Sequence, residues 1–293
     1  MDVTPRTQNS KLGISLLCSG LAFFAIGEAC VKTLAQNYNI IQVVWARYVF
    51  HALVFILIFS RSGIVSQMKT SRPVLHLMRS IALMFGTITF FTALIYLSMP
   101  EAVAINFAAP LMVTALSIPF LGEKVGPRRW VAIVIGFLGV LVIIRPGLGV
   151  MHWAAILPLL TAVFYAAYQI MTRIAGRTED TKTSLFWTST VGVIVMSCIV
   201  PFVWTEPNLL SWGIMVATGA VFGLGHYLLI RAFEVSAVST LSPFLYTQII
   251  WVTIISVIIF DQIPDNWSFL GTAIVIASGL YIWHRETKEN KSA

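Results

Sequence analysis

Charged side chains are scarce in this 293-residue chain: Asp, Glu, Lys and Arg together make up 11% of the sequence. Soluble globular chains contain about a quarter charged residues, so this deficit argues against a soluble protein. Hydrophobic residues make up 58% of the chain instead. Composition alone therefore indicates a membrane protein.

Cysteines and catalytic motifs are also scarce. The three cysteines lie in apolar runs without CxxC or metal-ligand spacing, which predicts neither a disulfide framework nor a metal site. The chain has no GxxxxGK[ST] motif for ATP, no HExxH motif and no soluble stretch long enough to hold a nucleotide. We therefore expect neither an enzyme nor a bound cofactor.

Apolar runs fill nearly the whole chain. A helix needs about 20 apolar residues to cross a bilayer, and only short polar connectors separate runs of that length. The sequence therefore predicts an all-α membrane protein with ten transmembrane helices: 12–33, 40–60, 76–97, 101–121, 129–146, 151–173, 184–204, 211–233, 238–260 and 267–284. The polar stretch 61–75 is predicted to be an interfacial loop.

The placement of lysine and arginine predicts the orientation. Ten spans put both termini on one side, and with the termini inside, 16 of the 19 cations fall in inner segments. Cytoplasmic loops are enriched in Lys and Arg, so both termini are predicted to be cytoplasmic. This distribution explains the net charge of +7 without a nucleic-acid partner. The exceptions are Lys32, Arg47 and Arg145.

The two halves of the chain resemble each other. Ser98 to Arg145 and Ser236 to Arg285 each contain a long span, an acidic residue, a short proline-containing loop, a Trp and a glycine-containing span. We predict two repeats, 1–147 and 148–293. Five spans per repeat is an odd number, so the second repeat would be inverted relative to the first. Inverted repeats around a midplane site are typical of secondary transporters.

Two stretches carry a family resemblance. GEKVGPRRWVAIVIGFLGVLVIIRPG resembles the end of the first repeat in the EamA family of the drug/metabolite transporter superfamily. The stretch GHYLLIRAFEVSAVSTLSPFLYTQIIWVTIISVIIFDQIPDNWSFLGTAIVIASGLYIWHRE is similar to the second repeat of the same family. The resemblance covers residues 12–286. It implies a ten-helix, inverted-repeat carrier of small organic molecules that does not hydrolyse ATP. Members similar to this chain include amino-acid exporters and uptake carriers for riboflavin or S-adenosylmethionine.

Charges inside the first two spans are candidates for function. Glu28 and Lys32 lie four residues apart on one helix face. Arg47 is as far from the intervening hairpin as Glu28, so a tight antiparallel pair would place both at one depth. The three could form a closed ion cluster that fixes packing, or Lys32 could extend to the outer surface. Alternatively, Glu28 and Arg47 could line a substrate cavity, with Glu28 binding a proton or a cation.

Other polar and aromatic residues in the spans could line the same cavity. His51 and His226 could exchange protons near neutral pH, or stay neutral and bond a neighbour. Amides inside a span need partners, which a cavity or a neighbouring helix supplies. The predicted substrate-binding residues are Glu28, Arg47, Tyr48, His51, Asn106, Tyr165, Gln169, His226, Tyr246, Gln248 and Trp251.

Together these features predict a secondary carrier of the bacterial inner membrane that works by alternating access. Its partners would be the lipid bilayer and a small organic solute, with a proton as the candidate coupling ion. Three solutes stay open: riboflavin, an S-adenosylmethionine-like compound and an amino-acid-like compound. A non-transporting membrane scaffold or receptor is the alternative.

Overall fold

The described part of the chain is helical and contains no strands in the computed structural model. The structure describes residues 9–59, 70–121, 127–145, 152–175, 178–179, 181–236 and 238–292. Most of the predicted interfacial loop and the first five residues of the connector GEKVGPRR lie outside these ranges.

Twelve α-helices are found in these ranges. The first half contains α1 (Ser10–Leu34), α2 (Ile40–Phe59), α3 (Pro73–Tyr96), α4 (Met99–Asn106), α5 (Ala109–Leu121) and α6 (Pro127–Ile144). The second half contains α7 (Ile156–Ala175), α8 (Thr181–Ile199), α9 (Leu209–Val235), α10 (Val238–Leu241), α11 (Gln248–Phe260) and α12 (Asn266–Ser292). Short 3-10 turns lie at Trp153–Ala155, Val200–Val203 and Ser242–Thr247.

Eight helical segments in the described ranges are long and apolar enough to cross a membrane. Two shorter apolar helices, Ile40–Val54 and Trp130–Ile144, coincide with the second and fifth predicted spans. Each of the ten predicted spans therefore contains apolar helix. Two of them are divided between separate α-helices, because α4 and α5 share the fourth span while α10, a 3-10 turn and α11 share the ninth.

Polar caps begin several of these helices. The Asn9 side chain accepts a hydrogen bond from the Leu12 amide at the start of α1, and Asn208 accepts one from Ser211 at the start of α9. At α4, Ser98 and Glu101 form a capping box. Each cap satisfies a first-turn amide that has no partner within its helix.

The packing is pseudo-symmetric between the two halves. Helix α1 packs along α9, and the equivalent pair is α7 along α3. Similarly, α2 packs on α9 as α8 packs on α3, while α11 packs on α1 as α5 packs on α7. The last helices of the two halves, α6 and α12, pack on each other. The halves are therefore interlocked and share one interior.

Glycines permit the closest of these crossings. A Cβ on Gly20 of α1 would lie 3.0 Å from the Gly225 carbonyl oxygen of α9, and one on Gly225 would lie 3.1 Å from the Gly20 carbonyl. Gly139 of α6 and Gly271 of α12 form a second such crossing. Small residues let helix backbones approach closely in a membrane, where apolar burial gives helices little reason to associate.

Candidate functional site

Glu28 is buried in the interior, with 4% of its surface exposed. One carboxylate oxygen, Oε1, accepts a hydrogen bond of 2.9 Å from Nε2 of Gln248, the first residue of α11. The other oxygen, Oε2, is buried and has no partner among the described residues. Burial of an unpaired polar atom is costly, so Oε2 is a candidate contact for a bound solute or a proton.

Gln248 follows a break in the ninth span. The break consists of the 3-10 turn Ser242–Thr247, and the fourth span is broken at the equivalent place, between Asn106 and Ala109. Breaks in membrane helices free backbone groups, and in transporters they commonly mark the binding site. The Asn106 side-chain oxygen is also buried and unpartnered in the described structure.

Lys32 does not pair with Glu28. Its ammonium nitrogen donates to the carbonyl oxygens of Leu94 at 2.7 Å and Leu97 at 2.6 Å, at the carboxyl end of α3. It also lies 5.7 Å from the ring centre of Phe260. Cations stabilise the carboxyl end of a helix, where carbonyls lack partners. Of the alternatives left open by the sequence, the closed ion cluster is therefore not formed among the described groups, and Lys32 instead reaches the end of α3 while staying 7% exposed.

Arg47 is buried but forms no ion pair with Glu28 among the described groups. Its guanidinium carbon lies 5.0 Å from the ring centre of Tyr48 and 4.9 Å from that of Phe222. The tight antiparallel pair that would place Glu28 and Arg47 at one depth is not formed either. Helices α1 and α2 each pack along α9 but not along one another, because the hairpin fixes only their joined ends.

Two histidines lie beside Arg47. The rings of His51 on α2 and His226 on α9 have centres 5.0 Å apart. His226 Nδ1 lies 2.8 Å from the Phe222 carbonyl oxygen, and the ring of Phe24 contacts His226 edge-on at 4.8 Å. The fold thus brings together four predicted residues, Arg47, Tyr48, His51 and His226, which we call the basic cluster.

Tyr246 and Trp251 lie near the break in the ninth span. The Tyr246 ring contacts Phe107, which lies in the break of the fourth span, at 5.2 Å between centres. The indole nitrogen of Trp251 is buried without a described partner. We call these two residues, together with Glu28, Gln248 and Asn106, the acidic half-site; the described hydrogen bond within it joins Gln248 to Glu28.

Tyr165 and Gln169 lie apart from both groups. Tyr165 is 38% exposed on α7 and stacks on Tyr168 at 5.9 Å between ring centres. Gln169 is part-buried on the same helix. No described hydrogen bond or ring contact joins either residue to Glu28 or Arg47.

The sequence reading missed a second buried arginine. Arg79 on α3 is 1% exposed and donates to the hydroxyl of Thr188, to the hydroxyl of Thr172 and to the carbonyl oxygen of Ser184. Its guanidinium also lies over the Tyr168 ring. The sequence places Arg79 at the inner end of the third predicted span, where it counts with the cytoplasmic cations. Arg79 lies six residues after Pro73, where α3 begins, and this distance was the sequence signal that its side chain lies inside the helix bundle.

Contacts at both ends of the bundle were also missed. Glu179, between α7 and α8, accepts hydrogen bonds from the hydroxyls of Thr70 and Ser71 and from the Ser71 amide. At the other end, the Gln42 side chain exchanges two hydrogen bonds with the backbone of Thr205. We call these the Glu179 clasp and the Gln42 clasp. They join equivalent pairs of connectors on opposite ends of the pseudo-symmetric bundle.

The described cavities lie on the flanks. One of about 440 Å³ lies between α6 and α12, against Ile135 and Ile274, and another lies between α1 and α9, against Cys30 and Leu210. Neither is lined by predicted site residues. Among the described residues, no group of three metal-ligating side chains could hold an ion. The candidate site is therefore defined by unpaired interior groups.

Comparison with known proteins identifies the family. The model of the EamA-like transporter family matches residues 11–145 and again residues 152–283. This chain belongs to the EamA-like transporter family. The two matches correspond to the two halves whose packing is pseudo-symmetric.

Relatives of known function are distant but span nearly the whole chain. An S-adenosylmethionine uptake transporter of Rickettsia bellii is 25% identical and covers 95% of both chains. A riboflavin transporter of Vibrio cholerae is 27% identical and covers 94% of both. A solved crystal structure superposes with a TM-score of 0.62 over 90% of this chain and 95% of the other, at 17% identity. The last comparison shows a shared fold.

Proposed function

We propose that this chain is a secondary active transporter that moves a small organic metabolite across the bacterial inner membrane by alternating access. Family membership and relatives that transport small metabolites support a transport function. The pseudo-symmetric halves support the mechanism, because two interlocked repeats can exchange roles when one rocks against the other.

The observation that carries the proposal is the unpaired oxygen of Glu28. A carboxylate is expensive inside a membrane and normally has a functional partner there. Oε2 lacks such a partner in the described structure, and it lies beside a broken helix. A solute amine, sulfonium or hydroxyl group would complete its bonding, and so would a coupling proton.

The clasps fit the proposed motion. The Glu179 clasp lies on the side that the cation distribution predicts to be cytoplasmic, and the Gln42 clasp lies on the opposite side. An outward-open state would require the Gln42 clasp to part, and an inward-open state would require the Glu179 clasp to part. Each clasp would part by exchanging its hydrogen bonds for hydrogen bonds to water as the connectors separate.

The first experiment is a thermal-stability screen of the detergent-purified protein. Riboflavin, S-adenosylmethionine and amino acids would be tested on the native chain, on Glu28→Gln and on Glu234→Gln. The Glu234→Gln variant is a matched control, because it makes the same chemical change at a glutamate that forms an exposed ion pair with Arg231. A ligand stabilises the folded state by mass action. We expect one ligand to raise the melting temperature of the native protein and of Glu234→Gln but not that of Glu28→Gln.

Uptake into proteoliposomes then separates transport from binding. The ligand found in the screen should accumulate when a pH gradient is imposed, and Glu28→Gln should abolish accumulation. If the ligand binds but never crosses the membrane, the chain is a receptor and the proposal fails. If Glu28→Gln melts early yet keeps the full ligand shift, Glu28 is a structural residue and the binding site lies elsewhere.

A further inference from the structure

The buried arginines Arg47 and Arg79 differ in how many of their N–H donors form hydrogen bonds within the protein. A guanidinium carries five N–H donors. Arg79 donates to three acceptors and covers a tyrosine ring, so the protein itself satisfies most of its charge. Arg47 makes one described hydrogen bond, a 3.3 Å contact to the Thr87 hydroxyl. Arg47 thus has donors available for a ligand.

No negative charge surrounds Arg47 in the described structure. The titratable groups near it are Tyr48 and His51 on its own helix and His226 on α9. From α3 it meets the Thr87 hydroxyl and the Phe91 ring. No described carboxylate lies within ion-pair distance. A buried cation in a membrane protein normally pairs with a carboxylate or with backbone carbonyls, and the described structure supplies Arg47 with neither.

Aromatic rings flank the free side of the guanidinium. The ring centres of Phe91 on α3 and Phe222 on α9 lie 5.7 Å apart and each within 6 Å of the Arg47 guanidinium carbon. These rings hold a cation by their faces and present apolar surface to the interior. The basic cluster therefore combines an unpaired planar cation with apolar walls, which suits an anionic group attached to an apolar body.

We propose that Arg47 binds a carboxylate group of the transported solute, with His51 and His226 completing the basic cluster around it. The inference rests on the proposed transport function. A planar guanidinium matches a carboxylate with two parallel hydrogen bonds. Of the three solute classes left open, riboflavin has no carboxylate. The solute class is therefore an amino-acid-like compound, including S-adenosylmethionine-like ones.

The test uses pairs of probes that differ in one carboxylate. These are S-adenosylmethionine and its decarboxylated form, arginine and agmatine, and tryptophan and tryptamine. Thermal-shift titrations give a dissociation constant for each probe on the native protein. We expect at least one carboxylate-bearing member to bind about tenfold more tightly than its partner. If the members of every pair bind alike, or none binds, the proposal is overturned.

Two matched substitutions test which arginine is responsible. Arg47→Lys keeps the charge but cannot form the two parallel bonds, so the preference for the carboxylate should fall about tenfold. Arg79→Lys removes bonds within the protein, so it should lower the melting temperature and leave the preference unchanged. The reverse pattern would assign Arg47 a structural role and overturn the proposal. The preference is a ratio measured on folded protein, so it is independent of stability.

Further measurements distinguish a solute carboxylate from a free anion as the ligand of Arg47. They also distinguish failure of this proposal from failure of the transport proposal. Acetate and chloride are titrated at constant ionic strength. Stabilisation by acetate or chloride alone would assign the cluster to free anions and contradict the solute inference. If riboflavin or agmatine accumulates in proteoliposomes, and Arg47→Lys transports it at the rate of the native protein, the transport proposal holds and this one is overturned. Binding of a carboxylate probe without accumulation would instead overturn transport.

Discussion

The three cations that depart from the cytoplasmic distribution have three different environments. Lys32 binds carbonyl oxygens at the end of α3, Arg145 pairs with Asp265 at 2.6 Å, and Arg47 lies among aromatic rings. Position along the chain marked all three as exceptions. Only their contacts separate a buried helix-end cation, a part-exposed ion pair and an interior cation without a counter-ion.

These environments predict different costs of removal. Lys32→Met keeps an unbranched side chain but leaves two buried carbonyls without their charged donor, which should cost about 1–3 kcal/mol of stability. Arg145→Gln breaks a part-exposed pair and should cost roughly 0–1 kcal/mol. Thermal unfolding of both variants in detergent measures the difference. Equal losses would show that Lys32 contributes no more than a surface charge.

At the level of elements, the clasps connect helices that the sequence separates widely. The Glu179 carboxylate bonds the segment just before α3 and lies 3.9 Å from Nε2 of buried His76. Hydrogen bonds from the Ser71 side chain, followed by those from the Ser71 amide and Thr70, hold the pKa of Glu179 below its usual value. The charged carboxylate is therefore the form that closes the clasp.

The lowered pKa gives the Glu179 clasp a pH dependence with a defined sign. A group whose pKa is lower in the folded state stabilises that state above its unfolded pKa, and the contribution fades as the pH falls. The melting temperature of the native protein should exceed that of Glu179→Gln at pH 7. The gap should close below the usual glutamate value of 4.5. A gap that is constant with pH would exclude the carboxylate charge as its cause.

For the whole molecule, the interlocked halves and the cation distribution set the expected topology. Every long helix of one half packs against a helix of the other, so neither repeat has a complete interior alone. The inner segments hold 16 of the 19 Lys and Arg residues only if both termini are cytoplasmic. This asymmetry predicts the orientation, since cations resist transfer across the membrane.

Reporter fusions test this orientation. Green fluorescent protein fused after Ala293 should fluoresce, and alkaline phosphatase at that site should be inactive, because the cation distribution predicts that both termini face the cytoplasm. Phosphatase fused after Asn208, in the connector before α9, should be active. The opposite pattern at both sites would show that the protein is inserted in the opposite orientation. A cytoplasmic location at both sites would contradict the ten-span count.

Sequence predicted the helices well because their signal is local. Apolar runs, proline or asparagine starts and short connectors lie within a few residues of one another, and a bilayer imposes one length on them. Average hydropathy does not detect the breaks in the fourth and ninth spans. Polar residues and prolines lie at both breaks, but each run is still apolar enough on average to span a membrane, so only the backbone shows that α4 and α5 are separate helices.

By itself, the sequence determined an all-helical membrane protein of two related halves and indicated which interior residues carry charge. The tertiary structure decided which of those residues meet. Glu28 and Arg47 looked like partners across a hairpin, yet Glu28 bonds Gln248 and Arg47 lies by Phe222. The reason is physical: a hairpin constrains only nearby residues, whereas the close approach of α9 at glycines determines where α1 and α2 diverge.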